Sequence, residues 1–266
     1  QTCRYEPTAL SLLPQRARDA LPRLADFDEL QRPKQLASKY RERWPLLEDS
    51  RFFLGIGDGA CANLGSKCVS PARIACTIGT SAATRVVLPM IVSESIESSS
   101  FHVPFGLFCY RIDRHHVLLG GALTDGGSII EWAQQFLNLD DNQLQSCMER
   151  VKDLSQRGGE VKHRSLTMVP FLSGERSTGF RSNATGALLG LKRGTEPAHL
   201  LKACLESVTL RLKAIIDLIL SQTIGISETQ PCVVVSGKAL EANAVWRQMI
   251  SDSTGLKVVL DHDATE

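Results

Sequence analysis

RIACTIGTSAATRVVLP, residues 73–89, holds two apolar runs on either side of Gly79-Thr80-Ser81. This pattern predicts two strands about a tight turn. Glycine and hydroxyl residues close a chain reversal, and β-branched neighbours favour extended backbone. Downstream, FGLFCYRID and HHVLLGGAL predict a second hairpin, turning near Asp113-Arg114-His115. GGSIIEWAQQFLNL then changes period, with Ile129, Trp132 and Phe136 spaced as on one helix face. SLTMVPFLSG predicts a further strand. The clearest helix begins near Thr195, placed to cap it, with Pro197 in its first turn. Leu201, Leu205, Val208, Leu212, Ile215 and Ile219 then form one apolar stripe. PCVVVSG is a short run of the buried-strand type, NAVWRQMISDSTG a helix closed by Gly255, and LKVVL a last strand. Hairpins followed by alternating strands and helices predict an α/β fold, a mixed sheet flanked by helices.

Upstream, FFLGIGDGACANLG, residues 52–65, predicts a strand running into a helix, with Asp58 between two glycines at the junction. Residues 1–50 differ. They are charged and interrupted by Pro22, Pro33 and Pro45, which predicts short helices and turns outside the core.

Composition narrows the function classes. Of 266 residues, 43% are hydrophobic and 22% charged, and the formal net charge is +1. A sizeable core is available, and bulk charge draws the chain to neither nucleic acid nor membrane. No apolar run approaches the roughly 18–20 residues that span a bilayer. QTCRYEPTAL lacks the apolar centre of a signal peptide, so a cytoplasmic location is expected. The eight cysteines lie mostly in apolar segments, and no two are spaced as C-x-x-C. Reduced, buried thiols are expected rather than a zinc site or disulfides, and no metal ligand is nominated.

Four glycine-containing turns each follow an apolar run: Gly57-Asp58-Gly59, Gly79-Thr80-Ser81, Gly126-Gly127-Ser128 and Ser236-Gly237. Such turns let backbone N–H groups approach an anion. One alone is a plain turn; four together point to a nucleotide site. Neither G-x-G-x-x-G nor G-x-x-x-x-G-K-[ST] is present, so the Rossmann and P-loop readings lack their fingerprint.

The motifs resemble those of the FGGY carbohydrate kinases, in their gluconokinase-like branch. GIGDGACANLGS is similar to the family's strand-GGGDG-helix element, and RIACTIGTSAATRV to its phosphate-binding hairpin. PFLSGERSTGFRSNATGALLGL resembles its P-[FY]-L-x-G-E-R segment. GALLGLKRGTEPAHLLKACLE fits the second family signature at every slot but Cys204. VSGKALEANAVWRQMISDSTG resembles the adenosine-side loop and helix. The likeness runs from Arg51 to about Asp263.

The resemblance implies an actin-like ATPase, ribonuclease H-like fold and an ATP-dependent kinase acting with Mg²⁺ on a sugar, polyol or sugar acid. Gluconate is the expected substrate. Asp58 occupies the slot of the general base. Gly79 and Thr80 occupy the phosphate-contacting turn. Gly127, Glu131, Gly237 and Asn243 fall on the nucleotide side. Asn243 is equally suited to bond adenine or to cap a helix, whereas Trp132 is expected in the core. Two departures stand out: Lys238 replaces a usual glycine, and Thr178 a usual proline.

No D-x-G-T-T phosphate loop is present, and the sequence ends at DHDATE, where the family continues into a terminal helix. The expected division is therefore residues 1–50 as a connector or remnant of an N-terminal sugar-binding domain, and 51–266 as the C-terminal nucleotide-binding kinase domain, its terminal helix missing. Expected partners are a small carbohydrate and an N-terminal kinase domain, or a second copy in a homodimer. The chain alone is expected to turn over poorly. A non-catalytic nucleotide-binding or interaction module derived from a kinase half remains the alternative, favoured by Lys238 and the missing first loop.

Overall fold

The computed structural model describes residues 4–26, 34–90, 102–156, 166–223 and 229–261. Cys3 and residues 262–266 lie outside the described residues.

The N-terminal region forms short helices, α1 (Pro7–Ser11), α2 (Gln15–Asp19) and α3 (Ser38–Arg41), and a 3₁₀ turn at Pro45–Leu47. None buries a residue. An ion pair between Asp26 and Arg111, with Arg114 N–H donating to Asp26 at 2.9 Å, ties this region to the main body.

The strand expected over RFFLGIG, residues 51–57, does not form. Phe52 makes only an isolated bridge to Lys34, and Phe53 is 61% exposed. A strand needs a paired neighbour, and the run joins neither edge of the sheet. The helix after it does form, as α4 (Asp58–Gly65).

Six strands make the main sheet: β1 (Arg73–Ile78), β2 (Ala82–Pro89), β3 (Phe108–Arg111), β4 (His116–Leu123), β7 (Cys232–Ser236) and β8 (Lys257–Leu260). Their order is β3-β4-β2-β1-β7-β8. The hairpin strands pair antiparallel, and β1, β7 and β8 run parallel. Short strands β5 (Thr167–Val169) and β6 (Ala187–Leu189) form a separate pair.

One sheet face carries Ile74, Cys76, Ile78, Val86, Leu119, Val233 and Val235. It packs under α7 (Pro197–Thr223) and α9 (Ala244–Thr254), with α5 (Ser128–Phe136) and α6 (Asp141–Gln156) packed against α7. Strand alternation puts Ala75, Thr77, Ala83, Arg85, Gly120 and Val234 on the other face. There Cys68 forms a small second cluster with Ala75 and Val234.

All six residues of the predicted α7 stripe are fully buried. The helix starts two residues later than the expected cap. Thr195 Oγ1 instead accepts from Lys192 N–H at 2.9 Å, and His199 Nδ1 accepts from Glu196 N–H at 3.0 Å. On α9, Asn243 Oδ1 accepts from Trp246 N–H at 3.0 Å, and Gly255 closes the helix at φ +69°. The buried Trp246 donates its indole N–H to Thr209 Oγ1 at 3.0 Å, locking α9 to α7. Trp132 packs against the core as expected, whereas Phe136 is 63% exposed.

Candidate active site

Three of the four glycine turns meet at one end of the sheet. Gly127 N–H donates to Gly79 O at 2.7 Å. Gly126 and Ser128 N–H groups both donate to Thr80 O, at 2.8 and 3.2 Å. Packing this close leaves no room for side chains: a Cβ on Gly127 would lie 2.7 Å from Gly79 O. Gly237 sits at φ +96°, where a Cβ would lie 2.4 Å from Ile78 O. Thr77 Oγ1 and Ser236 Oγ, 3.0 Å apart, bridge the strands that lead into two of these turns.

Gly79, Thr80 and Ser81 are exposed, and nothing lies within 4 Å of the Cβ position of Gly79. The arrangement is an open ledge of backbone with α5 starting beside it, and the first N–H groups of that helix donate to Thr80 O, Gly126 O and Gly127 O. Glu131 is exposed in the first turn of α5. Lys238 is exposed at the start of the short helix α8 (Lys238–Glu241). Asn243 follows α8; its Oδ1 serves the helix cap while its Nδ2 is buried with no partner among the described residues.

Asp58 lies over the sheet face that carries Arg85. It is the exposed first residue of α4, with Oδ1 accepting from Gly59 N–H at 2.7 Å. Beneath it lie two residues that sequence reasoning passed over, Arg85 and Tyr110. A Cβ on Gly59 would fall 2.4 Å from Tyr110 Oη and 3.2 Å from Arg85 Nε. Burial raises the Tyr110 phenol above its ordinary value; Arg85 opposes the rise and Asp58 adds to it. A lone arginine inside an otherwise apolar strand was the available signal for Arg85.

Asp125 was also missed, although it immediately precedes the Gly126-Gly127 pair. It is buried, and its carboxylate accepts from Ser173 N–H at 3.1 Å. Of the thiols, Cys68, Cys76 and Cys204 are buried as expected, but Cys61 is exposed on α4. Among the described residues no three His, Cys, Asp or Glu side chains are grouped to hold a metal ion. No described helix is long and apolar enough to cross a membrane.

Residues 74–266 match the C-terminal domain of the FGGY family of carbohydrate kinases. The chain belongs to that family. Its similarity to the gluconokinase of Bacillus subtilis (strain 168) is 26% identity over 216 residues, covering 80% of this chain and 40% of that protein. The xylulose kinase of Staphylococcus xylosus is 26% identical over 225 residues, covering 84% of this chain and 42% of that protein. Among solved structures, the gluconate kinase from Lactobacillus acidophilus superposes with a TM-score of 0.73 at 22% identity, over 92% of this chain and 46% of that one. The Plasmodium falciparum glycerol kinase with ADP gives a TM-score of 0.66 at 21% identity, over 90% of this chain and 43% of that one. This FGGY chain thus has the family's actin-like fold, and it spans less than half the length of these relatives.

Proposed function

We propose that the chain is the nucleotide-binding half of an ATP-dependent kinase that phosphorylates a hydroxyl of a sugar, polyol or sugar acid, with gluconate first among candidates. The observation that carries this reading is the meeting of the Gly79-Thr80, Gly126-Gly127 and Ser236-Gly237 turns on one open backbone ledge. An open ledge built largely of glycine backbone suits a polyphosphate, which binds backbone N–H groups. Gly79 and Thr80 take the phosphate end; Gly127, Glu131, Gly237 and Asn243 take the nucleoside end. The unpartnered Asn243 Nδ2 can donate to the base while Oδ1 keeps its capping bond. Nucleotide binding and helix capping then fall to different atoms of one side chain.

ATP supplies the transferable phosphoryl group. Asp58 orients the acceptor hydroxyl and takes its proton, which requires the carboxylate within about 3 Å of that oxygen. Arg85 and Tyr110 support the turn that presents it. The described residues suit Mg²⁺ only as an ion carried by the phosphates with Asp58 nearby, since no protein cage is built for it. Residues 1–50 would belong to the connection with an N-terminal domain, and 51–266 to the nucleotide domain.

Coupled-enzyme assays of ADP release with gluconate, xylulose and glycerol test the reading. The chain should be inactive alone and active when joined to an N-terminal domain bearing the D-x-G-T-T loop. Positioning is worth up to roughly 7–11 kcal/mol of barrier, and half of it would come from that domain. Failure of all three acceptors in the joined protein would favour the non-catalytic alternative.

A further inference from the structure

We propose that Asp125 is a positioning residue that fixes the Gly126-Gly127 turn against the Gly79-Thr80 hairpin. This rests on reading those turns as the nucleotide site. Asp125 lies just beyond β4, and its buried carboxylate gathers donors from two separate segments. Oδ1 accepts from Ser128 Oγ at 3.4 Å and from Ser173 Oγ at 3.3 Å, and Oδ2 accepts from Ser173 N–H at 3.1 Å. Ser128 is the first residue of α5, one position past the glycine pair.

The segment that holds Ser173 is itself anchored twice. Glu175 pairs with Arg211 of α7, whose guanidinium also donates to Ser177 O at 2.8 Å. Ser177 N–H donates to Ala122 O at 2.9 Å, and Ser177 Oγ accepts from Ala122 N–H at 3.0 Å, both on β4. A line of bonds therefore runs from α7 through the GERS segment and Asp125 to the glycine turn. From there the three N–H bonds of residues 126–128 reach Gly79 and Thr80.

The physical need is specific. Gly126 and Gly127 have no side chains with which to fix their own backbone, and they stand where the chain leaves the sheet. A buried carboxylate must be hydrogen-bonded to be tolerated, and bonds to a carboxylate are stronger than neutral ones. Asp125 therefore couples the turn's geometry to the rigid α7 layer. It acts through the turn and does not touch nucleotide.

The test measures amide hydrogen exchange and ATP affinity in the 266-residue chain, comparing Asp125→Ala, Asp125→Asn and Ser173→Ala with wild type. In Asp125→Ala the amides of residues 126–128 should exchange at least about tenfold faster, while those of β1 and β4 keep their protection. ATP affinity should fall by about tenfold or more. Asp125→Asn retains an acceptor oxygen and should restore both to within roughly threefold. Ser173→Ala should fall between. Unchanged exchange at residues 126–128 in Asp125→Ala would overturn the proposal, as would a uniform loss of protection across the sheet. Should the wild-type chain not bind ATP, the nucleotide reading of the ledge falls, and the exchange arm still decides whether Asp125 fixes the turn.

Discussion

Asp58 was legible as a residue of consequence because glycines flank it on both sides, yet its setting was misread. It begins α4 with an open face, and no buried strand precedes it. An exposed carboxylate at a helix start can serve as a cap, so the two roles must be separated by kinetics. In a complete enzyme Asp58→Asn should lower kcat by about 10²-fold or more with little change in ATP affinity. Equal loss in both would assign it to structure. Gly237 and Lys238 give a contrasting pair. Gly237→Ala places a Cβ at φ +96° against Ile78 O and should cost about 1–3 kcal/mol in urea unfolding. Lys238→Gly should leave ATP affinity within about twofold, since the side chain is exposed, and a gain of tenfold would show that the lysine crowds the nucleotide.

At the scale of elements, the sequence was read best where one periodicity had no competitor. The α7 stripe, the β1-β2 and β3-β4 hairpins and the Gly255 close of α9 all stand where pattern placed them, and Asn243, left open between two uses, caps α9 through Oδ1. The misreading at residues 51–57 has a physical cause, because an apolar run signals burial but cannot say what buries it. The core elements also set a pH dependence. Burial pushes the Cys76 thiol on β1 up to about 11 and the Cys204 thiol on α7 up to about 12. In the unfolded chain both ionise near 9, the ordinary value. Below that pH both states hold the proton and stability is intact. Above it the unfolded chain alone gives up the proton, so stability falls as pH rises through the window from about 9 to 11–12. The slope is on the order of 1 kcal/mol per pH unit per thiol. Thermal melts from pH 8 upward should show the decline, and Cys76→Ala with Cys204→Ala should flatten it relative to their own value at neutral pH. An unflattened decline would place the titrating groups elsewhere.

For the molecule as a whole, the family was readable from motif order and the glycine turns were read as one site, but the bonds that join three of them were not legible. Gly79, Gly127 and Gly237 lie far apart in the chain, and only the β1-β7 pairing and the N–H bonds of residues 126–128 bring them together. Asp125 and Arg85 carried local signals, but Ser173 and Tyr110, which give them their settings, belong to distant segments. The central claim is that nucleotide occupies this ledge. A second concavity makes the claim testable by location: a groove of about 560 Å³ lies between α6, α7 and α9, lined by Met168, Lys202, Glu206 and Met249 among others. Titrating ADP into the isotope-labelled chain and following backbone amide shifts distinguishes the two. Saturable shifts are expected at Gly79, Thr80, residues 126–128, Gly237 and Asn243, with the groove residues unmoved. Saturable shifts confined to the groove, with the ledge unmoved, would contradict the central claim.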